Sequence, residues 1–339
     1  MINKVKMRRI PTLLALLAAI PLIAACGSSA SGSGGGDGRL SLVAYSTPKE
    51  AYAALIPAFN KTAAGKGVSF TQSYGPSGDQ ARAVESGLPA DVVALSLAPD
   101  VNKLVDAKKV AAGWDQGAAK GFVTNSVVTF VVRKGNPKNI KTWDDLIKPG
   151  VQVIEPNPFA SGGARWNVMA AYGAQLEQGK SPAQAEQYLN KLFHNVPVQD
   201  KSARDSMTTF TSGKGDVLLA YENEAIAAQQ AGQDVDYVVP DQTILIQNPI
   251  AVTTTSKDPA KAKAFISFLR SKQGQDIFQS KGYRPIDPSL VDKSKFPAPP
   301  HLFTIDKLGG WSSVNSKFFD PDTGVVAKIE KSLGVSTSK

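Results

Sequence analysis

One cysteine, Cys26, and two histidines, His194 and His301, are all that 339 residues contain of these types. A single thiol allows no internal disulfide, so stability has to come from an ordinary apolar core. So few soft ligands leave no zinc cluster and no His-rich metal centre. No P-loop and no Gly-x-Gly-x-x-Gly run occurs, which removes the common phosphate and dinucleotide cradles. Ser77 stands in Gly-Pro-Ser-Gly and not in a nucleophile elbow. The carboxylate pairs Asp144/Asp145 and Glu222/Glu224 read as solvated or capping groups, and neither histidine lies in a hydrolytic motif. No catalytic residue, metal or cofactor is expected. The remote alternative is an extracytoplasmic hydrolase using one of the histidines.

Basic charge is scarcer than the total suggests. The formal net charge is +9, but Lys4, Lys6, Arg8 and Arg9 carry four of those charges in the first nine residues, leaving +5. The remaining Lys and Arg are scattered, with no basic stripe interleaved with aromatics, so nucleic acid is not an expected partner. A mild positive field reads either as help in drawing in a small anion or as a solvated surface.

What is present begins with export. After the basic leader, Ile10 to Ala25 is apolar, broken only by Pro11, Thr12 and Pro21, and ends in Ile23-Ala-Ala-Cys26-Gly27. That pattern predicts a signal peptide over 1–25, too short and too interrupted for a transmembrane helix. A lone cysteine directly after small residues resembles the lipobox of bacterial lipoproteins, which implies a lipid on Cys26. Residues 26–38 then form a Gly/Ser tether. The roughly 300 residues that follow suffice for a core and suggest two domains.

From Leu40 onward, strand-like and helical runs alternate. Strands are expected over 40–45, 68–73, 91–95, 127–133, 151–154, 216–220 and 250–254. Helices are expected over 48–63, 79–86, 99–107, 143–147, 161–178, 182–193, 203–211 and 222–230, with two packed helices in 260–279. The alternation predicts an α/β fold with largely parallel sheets. The tail after Pro285 reads as Pro-rich with scattered aromatics. Two strands, around Val127–Arg133 and Ile250–Thr255, are placed to carry the chain out of one domain and back.

Four connections after predicted strands carry helix-start chemistry. Ser46-Thr-Pro-Lys-Glu50 offers Thr47 as an N-cap, Pro48 as the first helical residue and Glu50 as a capping-box partner. Gly75-Pro-Ser77-Gly offers Ser77 as a cap, and Lys201-Ser202-Ala203-Arg204-Asp205 offers Ser202. Ser161-Gly162-Gly163 combines a cap with two residues that leave the first amides open. Unpaired N–H groups at the positive end of a helix form an anion site, and in open α/β sheets such starts converge beyond the strand ends. Any one of them alone reads first as an ordinary capped helix; four together predict an anion pocket.

Several longer stretches carry a family likeness: Val131-Val-Arg-Lys-Gly-Asn-Pro137, Trp143-Asp-Asp-Leu-Ile-Lys-Pro-Gly150, Asn157-Pro…Ser161-Gly-Gly-Ala-Arg-Trp-Asn167, Gly215-Asp-Val-Leu-Leu-Ala-Tyr-Glu-Asn-Glu224, Tyr283-Arg-Pro285 and Leu302-Phe-Thr-Ile-Asp306. From Tyr45 to about Trp311 the chain resembles the prokaryotic sulfate-binding proteins of ABC sulfate permeases. Thiosulfate binders share the Ser-Gly-Gly-Ala-Arg-Trp-Asn core, so it marks the family rather than one oxyanion; thiosulfate or molybdate/tungstate stay as alternatives. The resemblance implies a two-lobe type II periplasmic-binding-protein fold, with mixed sheets, flanking helices and the ligand in the interlobe cleft. It implies a monomer held to the membrane by lipid, serving a permease and an ATPase. Lobe I would span 39–127 with 251–300 and lobe II 128–250, with 301–339 packing on both. Carried over by position, the sulfate contacts would be Ser46, Ser77, Ser161, Gly162, Gly163, Ala203 and Tyr221.

Three departures stand out. Ser46 replaces the family's usual Asp, and Tyr221 its usual Trp; a phenol donates as an indole N–H does but also accepts. Phe159-Ala160 replaces a Lys and a Ser/Thr, at the pocket rim or the surface. Arg165 and Arg204 are expected to brace helix ends through carboxylates rather than touch ligand.

Overall fold

The computed structural model describes residues 38–337. The leader, Cys26 and the tether up to residue 37 lie outside the described residues. The first three strands, β1 (Arg39–Tyr45), β2 (Ser69–Gly75) and β3 (Val92–Ala94), are parallel, with β1 in the middle. Each runs into a helix: α1 (Lys49–Asn60), α2 (Ser77–Glu85) and α3 (Ala98–Asp106). Side chains alternate along β1 as the pleat demands. Leu40, Leu42 and Ala44 face a core with Tyr52, Phe59, Phe265 and Phe278, while Val43 faces another with Val84, Val93 and Leu104.

The chain then crosses on β4 (Phe122–Arg133) into β5 (Val153–Ile154), α4 (Gly162–Glu177), α5 (Pro182–His194), α6 (Ala203–Thr211), β6 (Val217–Tyr221), α7 (Glu222–Gln230) and β7 (Val235–Val238). It returns on β8 (Gln242–Val252) to α8 (Pro259–Arg270) and α9 (Lys272–Ser280). The path of the sheet is β2-β1-β3-β8-β4-β6-β5, with β7 beside β4. β4 changes partner midway: Val127 pairs with Leu245 of β8, and Val128 with Tyr221 of β6. β8 does the same, pairing antiparallel with β4 up to Pro249 and with β3 from Ile250. β4 contains the strand expected over 127–133 and starts five residues earlier, whereas β8 runs over Gln242–Val252 and overlaps the strand expected over 250–254 only at its end.

α4 is buried on nearly every side, including Arg165 and Asn167, as a helix inside a core must be. It packs on α5, on β8 and on the tail. That tail holds β9 (His301–Phe303), α10 (Gly310–Phe319) and α11 (Val325–Ser332), which sequence reading left unstructured, as it did β7. The aromatics explain the order: Trp311 lies edge-on to Trp166 at 4.7 Å, and Phe318 to Tyr172 at 4.7 Å.

Candidate anion-binding site

Register brings the first wall together. Ala44 pairs with Ala94 and Tyr45 with Gly75, so Ser46, Ser77 and Ser96 emerge from the same end of three parallel strands. Ser77 is buried and is the first residue of α2, after Pro76 at the N-cap position. It does not cap, in contrast to expectation. Its hydroxyl donates to the buried Asp100 carboxylate at 2.7 Å and accepts the N–H of Ser96 at 3.0 Å. Its proton is thus committed, and what it can turn outward is its backbone amide. Ser46 is half-buried at the end of β1, and its side chain takes no part in the hydrogen-bonded cluster among the described residues. α1 also starts differently: Pro48 is its N-cap with no side-chain cap, Thr47 lies 3.4 Å from the Tyr283 hydroxyl, and Glu50 binds Arg204. Proline cannot cap through a side chain, which frees both residues for long-range contacts.

The second wall is the start of α4. Ser161 caps it as expected, its Oγ accepting the Ala164 N–H at 3.3 Å while its own proton stays available. Gly162 and Gly163 occupy the first two positions, where amides have no carbonyl within the helix. A Cβ at Gly162 would stand 2.9 Å from the Ser96 Cβ and 3.0 Å from its Oγ, so only glycine lets this helix start meet the first wall. A Cβ at Gly163 would find the Ala203 Cβ at 3.5 Å and the Tyr221 Cε1 at 3.7 Å. Ser202 caps α6, taking the Asp205 N–H at 3.1 Å, and Ala203 is the first helical residue.

Tyr221 ends β6 and is 1% exposed. Its hydroxyl shares a 2.7 Å hydrogen bond with the Oγ of Ser96, itself fully buried. The Ser96 carbonyl is held in turn by the Trp166 indole N–H at 3.0 Å and by Asn248 at 3.2 Å. Sequence reading missed Ser96. It lies one residue before the α3 N-cap, Leu97, so no capping signature marks it. The available signal was its place after a strand of the same sheet, as for Ser46 and Ser77.

The groups facing this cluster are mostly neutral. Burial pushes the phenols of Tyr221, Tyr45 and Tyr283 up, so they keep their protons. Burial also pushes Glu224 up to about 7, against the pull of Arg204. Arg204 behaves as expected, clamping Glu50 at 2.5 and 3.0 Å and the Thr47 carbonyl at 3.1 Å, and so ties α6 to α1. Arg165 does not brace through a carboxylate. It donates to the Pro158 carbonyl at 2.8 Å and to Asn315 at 2.9 Å, and lies over the Phe319 ring. Phe159 is buried in the core rather than at the surface. At the outer edge, between Gly78 and Ser161–Gly162, the remaining cavity is only about 10 Å³, about enough for one water. His194 and His301 are both exposed, while Ser77 and Ser161 are buried.

Residues 40–284 match the family model described as bacterial extracellular solute-binding protein. The chain is 43% identical over 330 residues to a sulfate-binding protein of Synechococcus elongatus, covering 93% of this chain and 94% of that one. It is 35% identical over 302 residues to a thiosulfate-binding protein of Pseudomonas aeruginosa, covering 85% and 90%. Among solved structures it is similar to the sulfate-binding protein SubI from Mycobacterium tuberculosis H37Rv, with a TM-score of 0.81 and 46% identity over 83% of this chain and 99% of that one. A mixed α/β fold with flanking helices, together with these relatives, means that the chain belongs to the bacterial extracellular solute-binding proteins, in the sulfate-binding family.

Proposed function

We propose that this protein captures sulfate between its lobes and delivers it to the permease and ATPase of an ABC importer, as a monomer anchored outside the membrane by a lipid on Cys26. The observation that carries the reading is the meeting of neutral donors from both walls. The amides of Ser77, Gly162, Gly163 and Ala203 stand at helix starts, and the hydroxyls of Ser161 and Tyr221 lie beside them. Lobe limits of 39–127 with 251–300, 128–250, and a packing segment over 301–339 fit the partner changes in β4 and β8. Among the described residues, no helix is long and apolar enough to cross a membrane.

The magnitudes are sufficient. Each charge-assisted bond contributes roughly 1.5–3 kcal/mol, and about six give on the order of 10–18 kcal/mol before closure and immobilisation. Micromolar affinity needs only about −8 kcal/mol. Thiosulfate is the second reading, favoured by the relative from P. aeruginosa. Calorimetric titration with sulfate, thiosulfate, molybdate and phosphate tests both. Sulfate binding at micromolar or tighter levels is expected; thiosulfate binding more tightly than sulfate would move the assignment to the second reading, and no binding of any oxyanion would end both.

A further inference from the structure

We infer that Ser96 belongs to the anion pocket and acts with Tyr221 as one hydroxyl unit, whose mutual hydrogen bond turns one O–H toward the anion. The inference rests on the sulfate reading above and goes beyond it in adding a residue and a coupling. The two hydroxyls are 2.7 Å apart and come from opposite lobes, 125 residues apart in sequence. Between them they hold two protons. One is spent in the mutual bond and the second is free, on whichever oxygen the pair leaves outward.

Ser96 is held too firmly for its hydroxyl to point elsewhere. Its N–H goes to the Ser77 Oγ, its carbonyl takes the Trp166 indole and the Asn248 amide, and its side chain lies against the first turn of α4. Tyr221 in turn lies near Gly163, as Ala203 does. A hydroxyl pair so placed lies beside Ser77 on one wall and beside Gly162 and Gly163 on the other. Because either oxygen of the pair can become the acceptor, the unit also offers a lone pair where an indole would offer none. An anion bearing a proton, such as hydrogen phosphate, therefore meets one possible acceptor in a wall otherwise made of donors.

The experiment is a double-mutant cycle on the full chain, using Ser96→Ala, Tyr221→Phe and the double variant, with sulfate titrated by calorimetry. Ser96→Ala removes one oxygen and leaves the three backbone hydrogen bonds, and melting curves without ligand check that each variant folds. Each single change is expected to weaken sulfate about tenfold. The double variant is expected to lose about the same as one change, not about a hundredfold. A second arm uses inorganic phosphate on wild type and on Ser96→Ala/Tyr221→Trp, which donates but cannot accept: sulfate is expected to recover while phosphate weakens at least tenfold relative to it. Additive losses, sulfate affinity unchanged in Ser96→Ala, or an unchanged phosphate-to-sulfate ratio would each overturn the inference and leave the sulfate reading intact. Wild type that binds no sulfate would end the reading itself, and the inference with it.

Discussion

Among single residues, Gly162 has the most exacting role. Its missing Cβ is what allows the start of α4 to reach Ser96 on the other wall. Gly162→Ala is expected to weaken sulfate at least tenfold, because a methyl 2.9 Å from the Ser96 Cβ holds the walls apart. Ser46→Ala should change affinity less than threefold, since the Ser46 hydroxyl is not in the bonded cluster among the described residues and an alanine keeps the amide. Calorimetry on the two variants checks both, and equal losses would contradict the distinction. Ser161 and its glycines were legible in the sequence because capping is local: the Oγ and the N–H it accepts lie three residues apart. The Ser77 hydroxyl was misread for the opposite reason. Its partners, Ser96 and Asp100, are set by strand register and not by neighbours in the chain.

At the level of elements, the connection after α9 is pinned to α7 by a buried pair. Arg284 donates twice to Glu222, at 2.6 and 3.0 Å, and both side chains are almost fully buried. Arg284→Ala would leave Glu222 buried without its cation, and a loss of about 3–5 kcal/mol is expected in denaturant unfolding. Glu222→Leu/Arg284→Leu should recover part of it, since no charge is then stranded. α11 adds a pH dependence. Burial pushes Glu330 up to about 7, countered only by the Gln199 amide at 2.8 Å. Between its ordinary value near 4.5 and about 7, the folded state keeps a proton that the unfolded state releases. Stability from this group is therefore full below the ordinary value and is lost as pH rises to about 7. Glu224 adds in the same direction. The ligand-free melting temperature should fall from pH 5 to pH 7.5, and Glu330→Gln should flatten that fall. A rise over the same interval would contradict the assignment. The tail helices that carry Glu330 escaped sequence reading because their apolar faces pack on α4 and α5, and nothing nearby in sequence announces that contact.

Across the whole molecule, β4 and β8 each change partner midway, so one continuous sheet carries the helix starts of both walls. The Arg204–Glu50 link crosses between them, but both side chains are well exposed, and such a pair contributes at most about 1 kcal/mol. Contact between the walls draws instead on buried groups such as Ser96, Gly162 and Tyr221. The anchor is tested at the same scale. Cys26→Ser is expected to move the exported protein from the membrane fraction to the medium or periplasm; retention in the membrane fraction would refute lipidation at that position.

The sequence by itself determined what depends on near neighbours. The strand–helix alternation and the caps at Ser161 and Ser202 follow from spacing within a few residues. Only the tertiary structure decided who faces whom. It bonded Ser96 to Tyr221, gave the Ser77 proton to Asp100, set Arg204 on Glu50 and buried Arg165 against Phe319. The physical reason is range. A cap is selected by a turn of backbone, whereas a buried hydroxyl takes whichever partner the sheet register and the closure of two lobes bring within about 3 Å.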